Sequence, residues 1–499
     1  MKTYVDAFLT YGIDHQIITD FDRAKQNLYQ LYHLPLGDYE KTTKPIDEVL
    51  TYLLDAAYQL KLFHPNTVLE RDAYEAYLFD LIMAEPSKVK QTFKRLADND
   101  KEKAFSYLYQ LSKDVNYIKT KRIAHNIHFN YNSPYGNIEL TINLSKPEKD
   151  PKDIAKALEE TIDDKKGPKC VLCKENEQNY HNARMNLRIV PLELASKKWH
   201  FQYSPYHYFN EHSIILSDTH KPMHINKATF KALFDFIDFM PNYFVGSNAD
   251  LPIVGGSILN HEHYQSGRYH FPIEHAKIIK TYHDIKGVII SHLYWPLTTI
   301  RLTSNDRYEL EALAAHILSS WKTYEQKHLE IIPFTTKPHQ TITPIARYKH
   351  HTYELDLILR NNRTTKAYPD GIFHPHQEHH HIKKENIGLI EAAGLAILPG
   401  RLKEELSHAY LYLKEDQTHP SLQKHMLWLN QLKEQKIISH QEDLYQEVGK
   451  IFTRVLEDAG VFKLDDSGLL ACDTFIQDTI KTYKKMQIKN SHPNKRTRV

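Results

Sequence analysis

Residues 255–267 read GGSILNHEHYQSG, and how this stretch is read decides the fold. His261, His263 and Gln265 stand at alternate positions, after a Gly-Gly pair and just before Gly267. In a β-strand alternate side chains share a face, about 6.6–6.8 Å apart along the chain, so the three are predicted to project into one pocket. The plainer reading is a surface strand whose histidines happen to alternate. A neutral imidazole, however, is a competent nucleophile toward phosphorus, and a covalent intermediate divides one hard displacement into two easier ones. The Gln265 amide is suited to donate to a phosphoryl oxygen where charge accumulates. Gly255, Gly256 and Gly267 would let backbone approach a ligand closely.

Working outward, NKATFKALFDFIDFM (226–240) predicts a helix capped by Asn226 and stopped by Pro241. Before it, NLRIVPLEL, WHFQYSPYHYF and HSIIL carry strand signals, as does NIELTINL with Ile138, Leu140, Ile142 and Leu144 on one face. KPEKDPKDIAKALEE (146–160) predicts a short helix. After the motif, GVIISHLYW and HTYELDLILR read as strands with the helix RYELEALAAHILSSWKTY between them. Each strand-rich segment has one long helix and a late His-x-His, which suggests a duplicated unit. Residues 1–125 look helical: DEVLTYLLDAAYQLKLF and SKVKQTFKRLAD carry helix-period apolar faces, the second behind Pro86. The chain after Pro399 is again amphipathic helix and ends in a basic tail. The expected class is therefore α+β. Its expected parts are a helical region 1–130, a first half 131–285 with the motif, a second half 286–400, and a helical region 401–499.

The 499 residues exceed one ordinary core. Lys+Arg at 64 against Asp+Glu at 62 give a formal charge of +2, so no global field favours nucleic acid or a membrane surface. The opening residues show no charged-then-apolar signal pattern, and the apolar runs are too short to span a bilayer. The 3 cysteines make no disulfide framework. A cytoplasmic protein is expected.

Cys170 and Cys173 form a two-thiolate clip, and His220 and His261 are available to complete a Cys₂His₂ tetrahedron, although the long gaps do not dictate that pairing. The tract PDGIFHPHQEHHHIKKENIG holds His374, His376, His379, His380 and His381, which suit either metal ligation or the lining of a polar cleft. Arg188, Arg268, Arg347, Arg360, Lys383 and Lys384 are candidate phosphate partners, arginine matching phosphate oxygens in a fork.

Taken together, CVLC, NLRIVP, NEHSIILSDTHKPM, GSNADLPIVGGSILNHEHYQSG, HQTITPIAR, LDLILRNN and PDGIFHPHQEHHHIKKENIGLIEAAGLAILPGRL resemble the galactose-1-phosphate uridylyltransferase family. The resemblance is to its long form from Gram-positive bacteria, class II, within the histidine-triad superfamily. It implies two histidine-triad-like halves built on antiparallel sheets, and a ping-pong transfer of UMP. His263 would attack the α-phosphorus of UDP-glucose and carry a uridylyl group. Glucose 1-phosphate would leave, and galactose 1-phosphate would collect UMP as UDP-galactose. Gln265 matches the glutamine that holds the transferred phosphoryl group. Cys170, Cys173, His220 and His261 match a structural zinc site; a second metal has no secure counterpart here. Asn248 and Ser257 would contact uridine and phosphate, and Glu391 the sugar. A homodimer is implied as well. Where the better-known branch has proline and glycine around its second histidine, this chain has Glu262 and Tyr264. Two other readings share these residues: a dinucleoside polyphosphate phosphorylase or hydrolase, and a non-catalytic, zinc-stabilised nucleotide-binding protein.

Overall fold

The computed structural model describes residues 1–64, 67–145, 168–179 and 184–491. The short helix expected at 146–160 and most of the basic tail lie outside them. Strands follow in the order β1 (Ile127–Ser133), β2 (Gly136–Asn143), β3 (Val190–Leu194), β4 (Lys197–Tyr203), β5 (Ser213–Ser217), β6 (Phe244–Gly246) and β7 (His263–Gly267). They continue with β8 (Lys277–Ile285), β9 (Val288–Tyr294), β10 (Thr299–Ser304), β11 (Gln340–Lys349), β12 (Thr352–Asn361) and β13 (Leu395–Pro399). The chain divides into two compact units, one of residues 1–125, 145–193 and 197–220, the other of 126–144, 194–196 and 221–499.

In the first unit the apolar stripe of Ile46–Gln59 buries Val49, Leu50, Leu53, Leu54 and Ala57, as its spacing predicts. Pro86 opens the helix Pro86–Ala97, where a missing N–H costs nothing, and Val89 and Phe93 turn inward. β4 pairs antiparallel with β5, Phe201 opposite Ile215. β3 stands at the outer end of the order, the position that tolerates Pro191.

In the second unit β1 and β2 form an antiparallel pair that β13 joins in parallel. The larger sheet runs β7-β6-β11-β12-β10-β9-β8, every ladder antiparallel. The helix Lys227–Phe239 starts on the Asn226 cap, whose side chain accepts from Ala228 N–H, and ends before Pro241. Its Phe234 meets Tyr353 of β12 edge-on at 5.6 Å, on the face that also carries Tyr264. The helix Arg307–Trp321 packs beside it, with Arg307 paired to Asp235 and Asp238. One face of the sheet is thus roofed by apolar helix surface, and the α+β class holds.

The opposite face is polar. Register puts Asp356 across from Arg301 on β10 and Ile345 on β11. Asp356 receives Arg301 Nε at 2.6 Å and Arg347 Nη2 at 2.7 Å while fully buried. Glu354 takes a further bond from Arg347. Burial pushes the Asp356 carboxyl up, but the two guanidiniums outweigh it and hold it down at about 2. Arg347 is therefore committed to the core. Asp356→Asn is expected to cost about 3–5 kcal/mol in denaturant unfolding, because it removes the buried carboxylate that both guanidiniums share and leaves Glu354 to face them. In the parent protein the contribution is complete above the unfolded carboxylate value of about 3.9 and is lost as pH falls toward 2. A variant of unchanged stability, or one with the parent's acid limb, would show that the triad does not bear on folding.

Candidate active site

β7 begins at His263, so His263 and Gln265 lie on the strand while His261 stands at its entrance. The difference from simple alternation has a local cause. Glu262 N–H donates to the Lys221 carbonyl at 2.7 Å, outside the ladder that joins β7 to β6. The departure from strand geometry brings the His261 carbonyl to 2.8 Å from His263 Nδ1. A carbonyl only accepts, so Nδ1 carries the proton and Nε2 holds the lone pair. Burial pulls His263 down to about 4, against the opposing pull of the His261 carbonyl, and the ring is neutral near pH 7.

Glu262 and Tyr264 point away from this ring. Lys221 Nζ pairs with Glu262 Oε2 at 2.6 Å, and Tyr264 is buried beside Thr229 of the helix behind the sheet. Both departures from the family pattern are therefore accommodated on the side that does not carry His263 and Gln265.

On the His263 side, the Asn248 side chain accepts from Leu389 N–H at 2.8 Å, capping the short helix Leu389–Ala392. Gly256 and Gly388 lie against that side chain: a Cβ on Gly256 would sit 2.5 Å from Asn248 Nδ2, and one on Gly388 3.1 Å from Oδ1. Glu391 in the same helix receives Lys383 Nζ at 3.1 Å and Gly388 N–H at 3.2 Å. Ser257 is exposed in the loop, and Arg268 lies over the Tyr243 ring at 5.4 Å. Burial pulls the Arg360 guanidinium down to about 10, with the Glu391 charge opposing.

Arg188 is a correction. Its Nε donates to Ala84 O, Nη1 to Met185 O and Leu187 O, and Nη2 to Asp80 and Ala84 O. All five N–H groups are spent within the first unit, so none remains for a phosphate, and its role is structural.

The thiolate clip is built by residues that sequence spacing did not single out. Cys173 N–H donates to Cys170 O at 3.1 Å, closing a tight turn. Asn176 Nδ2 binds the carbonyls of both Cys170 and Cys173 at 2.8 Å. Lys174 reaches Asp218, two residues before His220, at 2.6 Å. Cys170 Sγ is 3.6 Å from Cys173 Sγ, which is 3.2 Å from His220 Nδ1, so three metal-ligating side chains cluster. His261 is buried beyond them in sequence, at the strand entrance. The histidine-rich tract divides. His374 bonds Asn386, His376 and His379 both pair with Asp458, and His381 meets His425, which pairs with Glu405.

Comparison with known proteins covers most of the chain. The pattern described as galactose-1-phosphate uridyl transferase, N-terminal domain, matches residues 26–222, and its C-terminal counterpart matches 236–429. A galactose-1-phosphate uridylyltransferase of Clostridium acetobutylicum is 49% identical over 466 residues, covering 90% of this chain and 92% of the relative. Those of Halalkalibacterium halodurans and Caldanaerobacter subterraneus are 44% and 45% identical, each covering 95% of this chain and 97% of the relative.

The contact of Gly256 with Asn248 gives a direct test of this packing. Gly256→Ala is expected to lower stability by about 1–3 kcal/mol in denaturant unfolding, because the new methyl displaces a bonded amide. An unchanged midpoint would mean that Asn248 is not held there.

Proposed function

The chain belongs to the galactose-1-phosphate uridyl transferase family, and on that premise we propose that it exchanges UMP between UDP-glucose and galactose 1-phosphate through a covalent uridylyl-histidine. The observation that carries the mechanism is the contact of His263 Nδ1 with the His261 carbonyl, which leaves Nε2 with the lone pair. Nε2 attacks the α-phosphorus; a P–N bond forms as the P–O bond to glucose 1-phosphate breaks. The ring gains positive charge, which the Nδ1–H···O=C bond to His261 stabilises. No proton need move, since the phosphate oxygen leaves as an anion. Galactose 1-phosphate then attacks the same phosphorus, and the ring returns to its neutral form with UDP-galactose as product. The Gln265 amide donates to a non-bridging oxygen of the group in transit. Arg268 meets the diphosphate, Asn248 and Ser257 the uridine and its phosphate, and Glu391 a sugar hydroxyl.

Cys170, Cys173, His220 and His261 would hold a zinc ion. Two thiolates and two imidazoles are a donor set that zinc favours. Ligand-atom spacings of 3.6 Å between sulfurs and 3.2 Å from sulfur to nitrogen lie near the roughly 3.8 and 3.6 Å expected of tetrahedral zinc. Support for His261 as the fourth ligand comes from the Glu262–Lys221 backbone bond, which joins the residues that follow His261 and His220. Held by four protein side chains, such an ion would serve as a structural anchor. Ligation would fix the His261 backbone, and with it the carbonyl that holds His263. We place the enzyme in the cytoplasm as a homodimer; among the described residues no helix is long and apolar enough to cross a membrane.

Labelled UDP-glucose should leave UMP on His263 as an acid-labile phosphoramidate, with no transfer from a diadenosine polyphosphate run beside it. His263→Asn should abolish exchange, and Gln265→Ala should lower kcat on the order of 10²–10³. Intact protein that exchanges UMP without labelling His263 would rule the mechanism out. Elemental analysis should find one zinc per chain, and chelation should lower Tm. Metal-free protein of equal stability would remove the zinc assignment and leave the nucleophile standing.

A further inference from the structure

The buried side-chain atoms of the second unit with no hydrogen-bond partner among the described residues include Gln265 Oε1, Thr343 Oγ1, and Nε with Nη1 of Arg360. The register puts all three on one face. Gln265 pairs with Gly246, Gly246 with Ile345, and Ile345 with Asp356. Paired residues of an antiparallel ladder share a face, as do residues two apart on a strand. His263 follows Gln265 onto that face, Thr343 and Thr341 follow Ile345, and Arg360, paired with Thr341, follows Asp356. The row next to Gln265 therefore leads from His263 toward Thr343, and Arg360 stands one row further.

Arg360 is only 1% exposed. A buried guanidinium without acceptors retains its desolvation penalty, and native folds keep such a deficit where something else supplies the partner. The nearby carboxylate whose charge acts on it, Glu391, is already engaged by Lys383 and Gly388 N–H. Arg301 and Arg347 on the same face are neutralised by Asp356 and Glu354. Arg360 has no such pairing.

We propose that Arg360, with the Thr343 hydroxyl, seats the phosphate that stays with the hexose, the group that leaves in the first half-reaction and attacks in the second. The proposal rests on the uridylyl-transfer reading given above. When the P–O bond breaks, the bond's charge passes to the hexose phosphate, beside the phosphorus held at His263 and Gln265. A fixed, desolvated cation on the same face pairs with that charge as it develops. The UMP group, once on His263, no longer shares a bond with this phosphate and makes no demand on Arg360.

Thermal-shift and calorimetric titrations with glucose 1-phosphate and with UMP separate the roles. The parent protein should bind both. Arg360→Gln should weaken glucose 1-phosphate, and raise KM for galactose 1-phosphate, about 10- to 100-fold while UMP affinity stays within about twofold. Arg360→Lys should recover part of the loss, and Thr343→Val, which keeps the shape, should raise the same KM several-fold. Equal loss of UMP and hexose-phosphate affinity, or unchanged KM in the arginine variants, would overturn the proposal. So would misfolding of both arginine variants with an unaltered KM in Thr343→Val, which would assign Arg360 to the core. Failure of the parent protein to label His263 would instead strike the uridylyl-transfer reading, whatever Arg360 binds.

Discussion

The hydrogen bond from His263 Nδ1 to the carbonyl two residues earlier is the constraint on which the site turns. It selects one tautomer, leaving the proton on Nδ1 and the lone pair on Nε2. That bond exists because β7 begins at His263 and the chain before it is diverted toward Lys221. Had the strand extended through His261, its carbonyl would have pointed along the ladder instead.

The larger sheet serves this arrangement with two unlike faces. Behind it, Phe234, Thr229 and the neighbouring helix pack on Tyr264 and Tyr353, fixing β7 and β12 by apolar burial. In front, the Arg301–Asp356–Arg347 cluster keeps charge paired at one end, while the unpartnered atoms of Gln265, Thr343 and Arg360 lie toward the His263 end. A one-residue slip of any strand would exchange the two faces, so the same ladders that hold the fold hold the chemistry in register.

Much of this could be read from the sequence where local physics decides. The Asn226 cap, Pro86 at a helix start and the alternation in NIELTINL each give the element their residues predict. That His263 and Gln265 share one short strand was visible for the same reason. Tertiary choices were not visible. Arg188 and Arg360 look alike as isolated arginines, yet one spends every donor on Asp80 and backbone carbonyls and the other keeps two nitrogens unpartnered. Asn176 carried no spacing signal, because it acts on backbone carbonyls of the cysteine turn. The position of His261 off the strand depends on a bond to Lys221, which lies 41 positions from Glu262 in sequence.

The most direct measurement is the regiochemistry of the isolated uridylyl-enzyme, read by phosphorus–nitrogen coupling in NMR on protein with isotopically labelled histidine. If the His261 carbonyl holds Nδ1, the phosphorus must be bonded to Nε2 of His263. Coupling to Nδ1 would contradict the tautomer, and with it the role given to the strand entrance.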